Sequence, residues 1–513
     1  MKAWLRKYPA AAFVPFLMVM YFWNLKTLSP WGDEAYAFQT MRLPVPEILR
    51  LLAHDVHPPL YYLLLYGWLR VPLGLDWEVQ ARALSGILAL ASFLAADRLW
   101  ASRLPERGRI GFLALWAASP CLLLYARICH SFCLQLLVGT VVAAAILRFD
   151  GQRPTAAMAG GPEDTPAPQR ESWRKGGWLA AGLIVGLYTH YVVGLALLVT
   201  ANLVLLRRKR WSEALRLDAV VGVAYLPWAW WLVRALGEWS SHPLSYSLTG
   251  SALLETPLKL AYWAISFVMG EAQPDAVLVA GMGVMVLAGL LVLSGMRRNR
   301  PVAWLIVPLA AIGFIGVARW VSYPFIPARM LYVFPLFLVM LMEGAVAHRR
   351  LGMVAVPAML ALSLAGIWSY SQGTGFRNKQ YVMPLREIAA EIKAQSSAGN
   401  SLVLVDTPNS DIVALAYCLG EGRRVLGTGD PGTAEAVTAA LADPKVKTVW
   451  FLRNPHDVTP QGLDERYQGQ LRAAMAAEAQ NYQRFSPLET CAMQRMGMKN
   501  PPSYFQELWR FGR

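Results

Sequence analysis

Charge is what this chain has little of. Asp, Glu, Lys and Arg make up 16% of its 513 residues, while 56% are hydrophobic, and the mean hydropathy is +0.35. Soluble domains carry about 25% charged residues, so water is not the main solvent of this one. Acidic residues are scarcer than basic ones, 33 against 48, giving a formal charge of +15. The surplus sits in short clusters between apolar stretches rather than on one polar face, which argues against nucleic acid as a partner. Cysteine is scarce as well. Cys121, Cys129 and Cys133 lie in apolar segments, where they serve as small hydrophobes. Cys418 and Cys491 fall in the polar tail; if that tail is extracytoplasmic they are available for a disulfide, although sequence alone does not show that they meet. No small-residue cleavage site follows Lys2, Arg6 and Lys7, so the first apolar segment is expected to stay as a span. There is no G-x-S-x-G elbow and no short-period repeat, and the glycines of GEGRRVLGTGDPG do not follow a strand and open a helix as a phosphate loop requires.

What is present is a series of apolar stretches near the roughly 20 residues needed to cross a hydrocarbon core of about 30 Å. The pattern predicts eleven crossings, near 9–28, 81–99, 110–126, 130–147, 177–191, 192–206, 217–236, 275–296, 301–319, 330–347 and 351–370. With the N-terminus cytoplasmic, the basic clusters Arg98 to Arg109, Arg148 to Lys175, Arg207 to Arg210, Arg297 to Arg300 and Arg349–Arg350 all fall on the inner side. Pro58–Leu75 and Leu254–Gly270 are left out of the count, because making only one of them a span would invert the clusters between them. Short, or interrupted by Pro, Gly and Arg70, they are expected to lie as helices at the outer interface. The membrane domain is therefore 1–372, with a first outer loop at 29–80 and a Pro/Gly/Ala-rich, disordered inner loop at 148–176.

From 373 to 513 the character changes. PLREIAAEIKAQSSAGN is helix-like, SLVLVD a short β-branched run, DIVALAYCL helix-like, KTVWFLR a second strand, and ERYQGQLRAAMAAEAQNY helical. Alternating helix and buried-strand patterns predict a small extracytoplasmic α/β domain with a mostly parallel sheet. The expected fold is thus an all-α polytopic membrane bundle followed by an α/β domain.

The first outer loop carries the chemistry. Asp33 and Glu34 directly follow the first span, and His54, Asp55 and His57 follow about twenty residues later. Carboxylates held near a membrane are costly unless paired or functional. Moving a sugar from a phospholipid carrier to a hydroxyl needs a base for the acceptor proton and cationic or hydrogen-bonding groups for the departing phosphate. Asp33 is the candidate base, with Glu34 supporting or alternative. Arg82, Arg127, His190 (with Tyr191 beside it) and Arg329 are the candidate phosphate or substrate contacts, all expected near outer span ends despite the positive-inside bias. The bland alternatives are that Asp33 caps the helix AYAFQTM and that each arginine snorkels to lipid headgroups.

WGDEAYAF followed by HDVHPPLYYLLLYGWL resembles the acidic first-loop signature of the GT-C membrane glycosyltransferases, especially the protein O-mannosyltransferase family (glycosyltransferase family 39) and its bacterial relatives such as the lipid A aminoarabinose transferases. QARALSGILAL, SPCLLLYARICHSF, GLYTHYVVGLALL, AYLPWAWWL and PARMLYVFPLFLVML resemble family segments in the same order, so the likeness covers nearly all of the membrane region. The resemblance implies a polyprenyl-phosphate sugar donor, an outward-facing site and inversion at the anomeric carbon; the plain inner loops, with no organelle signal, fit a bacterial inner membrane. The resemblance matches Asp33 to the catalytic acid, Asp55 to the acid ahead of HPP, and Arg82 to an arginine opening the next span; His57, beside Asp55, is a further candidate substrate contact. His190 departs from relatives with lysine at the THY position. His130 stands where relatives often carry Arg, so only Arg127 is carried over there. The implied acceptor is a lipid, a glycan or a protein.

Two other chemistries compete. His54, Asp55 and His57 at close spacing are a possible set for a divalent metal, against packing at an interfacial turn before Pro58. A transporter or lipid flippase also carries polar groups in a bundle, but usually shows repeats and broken mid-span helices in matching halves, neither of which is visible.

Overall fold

The computed structural model describes residues 8–54, 57–150, 169–239, 252–320, 326–406, 409–453, 465–483 and 505–513. Asp55, Cys491 and positions 151–168 of the expected inner loop lie outside them. In chain order the elements are α1 (Ala10–Phe22), α2 (Gly32–Thr40), α3 (Val45–His54), α4 (Leu60–Leu69), α5 (Trp77–Leu99), α6 (Glu106–Ala117), α7 (Pro120–Ala126), α8 (Phe132–Phe149), α9 (Gln169–Thr189), α10 (Tyr191–Arg207), α11 (Trp211–Trp239), α12 (Ala252–Met269), α13 (Asp275–Arg298), α14 (Arg300–Trp320), α15 (Phe334–Ala347) and α16 (Arg349–Ser371). They are followed by α17 (Leu385–Gln395), β1 (Ser401–Asp406), α18 (Asn409–Leu419), β2 (Arg424–Gly427), α19 (Thr433–Ala442), β3 (Thr448–Arg453), α20 (Glu465–Ala474), β4 (Ala476–Gln483) and β5 (Phe505–Gly512). Contacts divide the chain into two compact units. One comprises Met1–Leu25, Leu43–Ser245 and Thr256–Arg377; the other comprises Lys26–Arg42, Tyr246–Glu255 and Asn378–Arg513.

The first unit is helical. Among the described residues, six segments are long and apolar enough to cross a membrane: Trp77–Arg103, Phe132–Phe149, Asp275–Arg298, Arg300–Val317, Pro327–Ala347 and Arg349–Ser371. The pair α6 and α7, bent by 50°, makes a seventh if taken as one span. Ser119 produces that bend: its hydroxyl accepts from the Leu122 N–H at 3.3 Å while Pro120 opens α7, an N-cap followed by the residue whose missing N–H costs a helix start least. Shorter apolar helices occupy Ala10–Phe22, Leu60–Leu69, Gly176–Thr189 and Tyr191–Arg207. Of the expected interfacial stretch Leu254–Gly270, all but Gly270 is helical, continuing through Pro257 as part of α12.

The second unit is built on a five-stranded sheet of order β2-β1-β3-β5-β4. Both faces of β1 are covered. Val403 and Val405 pack with Ile388 of α17 and Leu415 of α18, while Leu402 and Leu404 pack with Val437 of α19 and Leu471 of α20. That explains why SLVLVD reads as one apolar run instead of alternating. The expectation of a mostly parallel sheet holds for strand direction in four of the five strands: β1 pairs parallel with β2 and β3, and β5 alone is reversed, antiparallel to both β3 and β4. The helical expectation for ERYQGQLRAAMAAEAQNY holds only to Ala474, because Ala476–Gln483 forms β4. Alanine and glutamate favour helix, yet eight backbone pairings to β5 outweigh that preference. The strand lies at the sheet edge with Ala476–Asn481 exposed.

Candidate active site

In the first unit, four interruptions of helix carry polar side chains toward one another. His57 follows α3, its N–H donating to the Leu52 carbonyl at 3.2 Å, and the buried Pro58 and Pro59 lead into α4. Its ring lies edge-on to Tyr62 at 5.9 Å and to His130 at 6.4 Å between centroids. His130 belongs to the break between α7 and α8. It stacks on Phe132 at 4.0 Å, and its Nδ1 is 3.2 Å from the Ser131 hydroxyl, which accepts from Gln135. His190 separates α9 from α10 with extended backbone (φ −165°, ψ 130°). The two helices meet there so closely that a Cβ on Gly194 would lie 2.5 Å from the Leu187 Cα, which only glycine permits. Arg329 sits in the 3-10 turn Pro327–Val333. That turn is pressed onto α8 where Gly139 leaves room for Tyr332, whose Cβ would be 2.4 Å from an added methyl.

His130 and His190 each interact electrostatically with His57 and Arg329, and with one another in the case of His130. The described residues therefore bring together His57, His190 and Arg329, three of the candidate contacts, and add His130, which the resemblance does not carry over. The signal for His130 was its place beside Arg127 in ARICHSF. Three imidazoles and a guanidinium offer N–H donors to an anion, and the first turns of α8 and α10 add partial positive charge nearby. Tyr191 opens α10, its hydroxyl accepting from Trp228 Nε1 at 3.4 Å.

Arg82 and Arg127 are directed elsewhere in the unit. Arg82, 2% exposed, pairs with Glu78 one turn away at 2.8 Å and donates to the Leu25 carbonyl at 2.6 Å. Arg127 donates to the carbonyls of Met20, Trp23 and Asn24 at 2.8, 2.7 and 2.6 Å, and its Nε donates to the Tyr370 hydroxyl at 2.9 Å. Between them they hold the carbonyls at the end of α1, which no longer have helix partners.

A further buried acid went unnoticed in the sequence. Glu271, between α12 and α13, accepts from the hydroxyls of Tyr125, Tyr262 and Ser266. Burial pushes its carboxyl above the usual range, and the three hydroxyl donors counter that by favouring the charged form.

In the second unit, Asp33 and Glu34 occupy the first turn of α2, where the helix dipole favours negative charge. The N-cap is Trp31, with no side-chain cap bond, so Asp33 is not the cap. Glu34 is 1% exposed and Asp33 partly buried. The other side of α2 belongs to the core of the α/β domain: Ala35 joins the cluster of Ile388, Val403 and Leu415, and the Phe38 ring meets Tyr417 at 5.2 Å. Trp31 packs edge-on to Tyr381 at 5.4 Å, and the Ser29 hydroxyl accepts from the Arg386 N–H at 3.2 Å. His54 is exposed. Among the described residues no group of three or more His, Cys, Asp or Glu is placed to hold a metal.

No protein-family model matches the chain, and no curated protein matches it either. Solved structures do. ArnT from Cupriavidus metallidurans, in a crystal structure bound to undecaprenyl phosphate, superposes with a TM-score of 0.55 at 15% identity over 98% of this chain and 97% of that one. The apo crystal structure of the same protein gives 0.55 at 14% over 97% of each chain. The archaeal oligosaccharyltransferase AglB from Archaeoglobus fulgidus gives 0.47 at 12%, over 88% of this chain and 70% of that one. Over 98% of its length the chain shares the fold of that ArnT structure.

Proposed function

We propose that the protein is a membrane glycosyltransferase that moves a sugar from a polyprenyl-phosphate carrier to an acceptor. One observation carries the reading: in a chain sharing its fold with a protein crystallised with undecaprenyl phosphate, the imidazoles of His57, His130 and His190 gather with the Arg329 guanidinium, a set of N–H donors around one fixed cation. The acceptor oxygen attacks the anomeric carbon and the carbon–oxygen bond to phosphate breaks, its electron pair staying on the phosphate. The donor diester carries one negative charge and the released monoester approaches two. Cations and N–H donors set around that oxygen therefore bind the transition state better than the ground state. Arg329 supplies the permanent charge and the imidazoles supply N–H groups. Asp33, in the first turn of α2, takes the acceptor proton. A single displacement of this kind inverts the anomeric centre.

The same reading keeps eleven spans: the six long apolar segments, the bent pair α6 and α7 counted once, the short helices α1, α9 and α10, and α11. It places the N-terminus in the cytoplasm, the first outer loop and residues 373–513 on the other side of an inner membrane, and a lipid, glycan or protein as acceptor. The test is purified full-length protein given a panel of polyprenyl-phosphate sugars, with products identified by mass spectrometry. Transfer from one donor, lost in Asp33→Asn, is the expected result. Donor binding without product in every combination would favour a transporter or flippase instead.

A further inference from the structure

The end of the first unit that carries the basic clusters holds a cavity of about 510 Å³ between the C-terminal ends of α8 and α10 and the start of α14. Its walls are apolar, built from Leu147, Leu203, Leu206, Trp304 and Val307. Leu203 and Trp304 are half exposed, at 49% and 53%, so the cavity opens on the surface that faces lipid in a membrane bundle. The rim is cationic, and most of that charge is already compensated. Arg208 is held by both oxygens of Asp150 at 3.1 and 3.3 Å, and Arg210 by Glu213 at 2.6 Å. Arg207 is different. It lies over the Trp304 ring, 4.3 Å from its centroid, and among the described residues no carboxylate pairs with it.

We infer that this cavity is a second lipid site, for an anionic glycerophospholipid of the leaflet on the basic side, with an acyl chain in the apolar pocket and the headgroup phosphate on Arg207. The volume lies in the range of small-molecule sites, and an apolar body with one placed polar group is the usual make-up of such pockets. The uncompensated guanidinium selects for negative charge: arginine binds phosphate in a two-pronged manner, and its stacking on Trp304 holds it in place without neutralising it. A zwitterionic lipid offers the same chain but brings its own cation to the rim. The site is separate from the donor chemistry, since α10 carries His190 at one end and Arg207 at the other.

The experiment is native mass spectrometry of the purified full-length protein titrated with phosphatidylglycerol and with phosphatidylcholine of matched acyl chains. The wild type should hold phosphatidylglycerol more tightly. Arg207→Gln should weaken that binding about fivefold, the effect of one basic residue at an anionic surface, and leave phosphatidylcholine unchanged. Arg208→Gln, whose charge Asp150 already balances, should change little. Leu203→Trp, which fills the pocket, should weaken both lipids. Equal binding of the two lipids by the wild type, or undiminished phosphatidylglycerol binding by Arg207→Gln, overturns the proposal. So does displacement of phosphatidylglycerol by inorganic phosphate with no loss in Leu203→Trp, which would mark a plain anion site. Arg207→Gln keeps the test open if the larger Leu203→Trp side chain disturbs the fold.

Discussion

The two units hold their polar groups by opposite means. In the first, His57, His130, His190 and Arg329 come from places where a helix is broken, and tight helix contacts at Gly139 and Gly194 bring the breaks together. In the second, Asp33 and Glu34 sit on an unbroken helix start, and a sheet-backed core holds the helix from its far side. An apolar bundle has few polar side chains to organise, so it uses irregular backbone to point them inward. The sheet-backed unit has a helix terminus available and uses it. The cluster should therefore depend on packing between helices, and the acidic pair on the integrity of the α/β domain.

The sharpest way to break this contrast is Asp33→Asn. Transfer should fall by about 10²- to 10⁴-fold, the usual contribution of a positioned general base, with abundance and thermal stability unchanged. Full activity would remove Asp33 as the base. Phe38→Ala should act differently, costing about 3–5 kcal/mol of packing on Tyr417 and raising hydrogen exchange across residues 32–40 while leaving that of α8 and α10 unaltered. Exchange rising in both places would mean that the acidic helix is not held by the domain. Arg329→Ala should lower kcat/KM for the lipid-linked donor about 10²-fold, with Arg329→Lys recovering part of the loss, since charge is kept and the planar fork is not. Unchanged donor dependence would return Arg329 to a headgroup role.

The smallest effect concerns the rim of the basic end. The Arg210 hydrogen bond and charge hold the Glu213 carboxyl below its ordinary value of 4.5. A depressed carboxyl contributes stability that is complete above its unfolded value and is lost as pH falls through the lower folded one. Glu213→Gln should thus lower the melting temperature slightly at pH 7, for a cost of about 0.5 kcal/mol, and have no effect once the wild-type carboxyl is protonated. A cost that stays the same at acid pH would mean that packing, not charge, is lost.

The bundle was legible in the sequence because span length and loop charge are strong signals. The α/β character of the tail followed from SLVLVD and TVWFLR, whose burial on both faces leaves continuous apolar runs. β4 was not legible, since its alanines and glutamate favour helix and only pairing with β5 makes it a strand. Asp33, Glu34, His57, His190 and Arg329 stood out as polar groups in apolar surroundings. His130 did not, because a lone histidine in an apolar segment reads as core until its neighbours in space are known. Nor did any pattern show that Arg82 and Arg127 grip the carbonyls at the end of α1: a buried arginine bound to backbone and one bound to substrate look alike in one dimension.

The grouping of residues 26–42 with 378–513 bears on how the protein can be taken apart. A fragment ending near Arg377 would keep Asp33 in its chain but lose Ile388, Leu415 and Tyr417, against which Ala35 and Phe38 are buried. Such a fragment would expose an apolar helix face to water, and its silence in an assay would say nothing about where the bond-breaking groups reside. Dissection by point substitution, or by supplying the missing domain in trans, is the informative route.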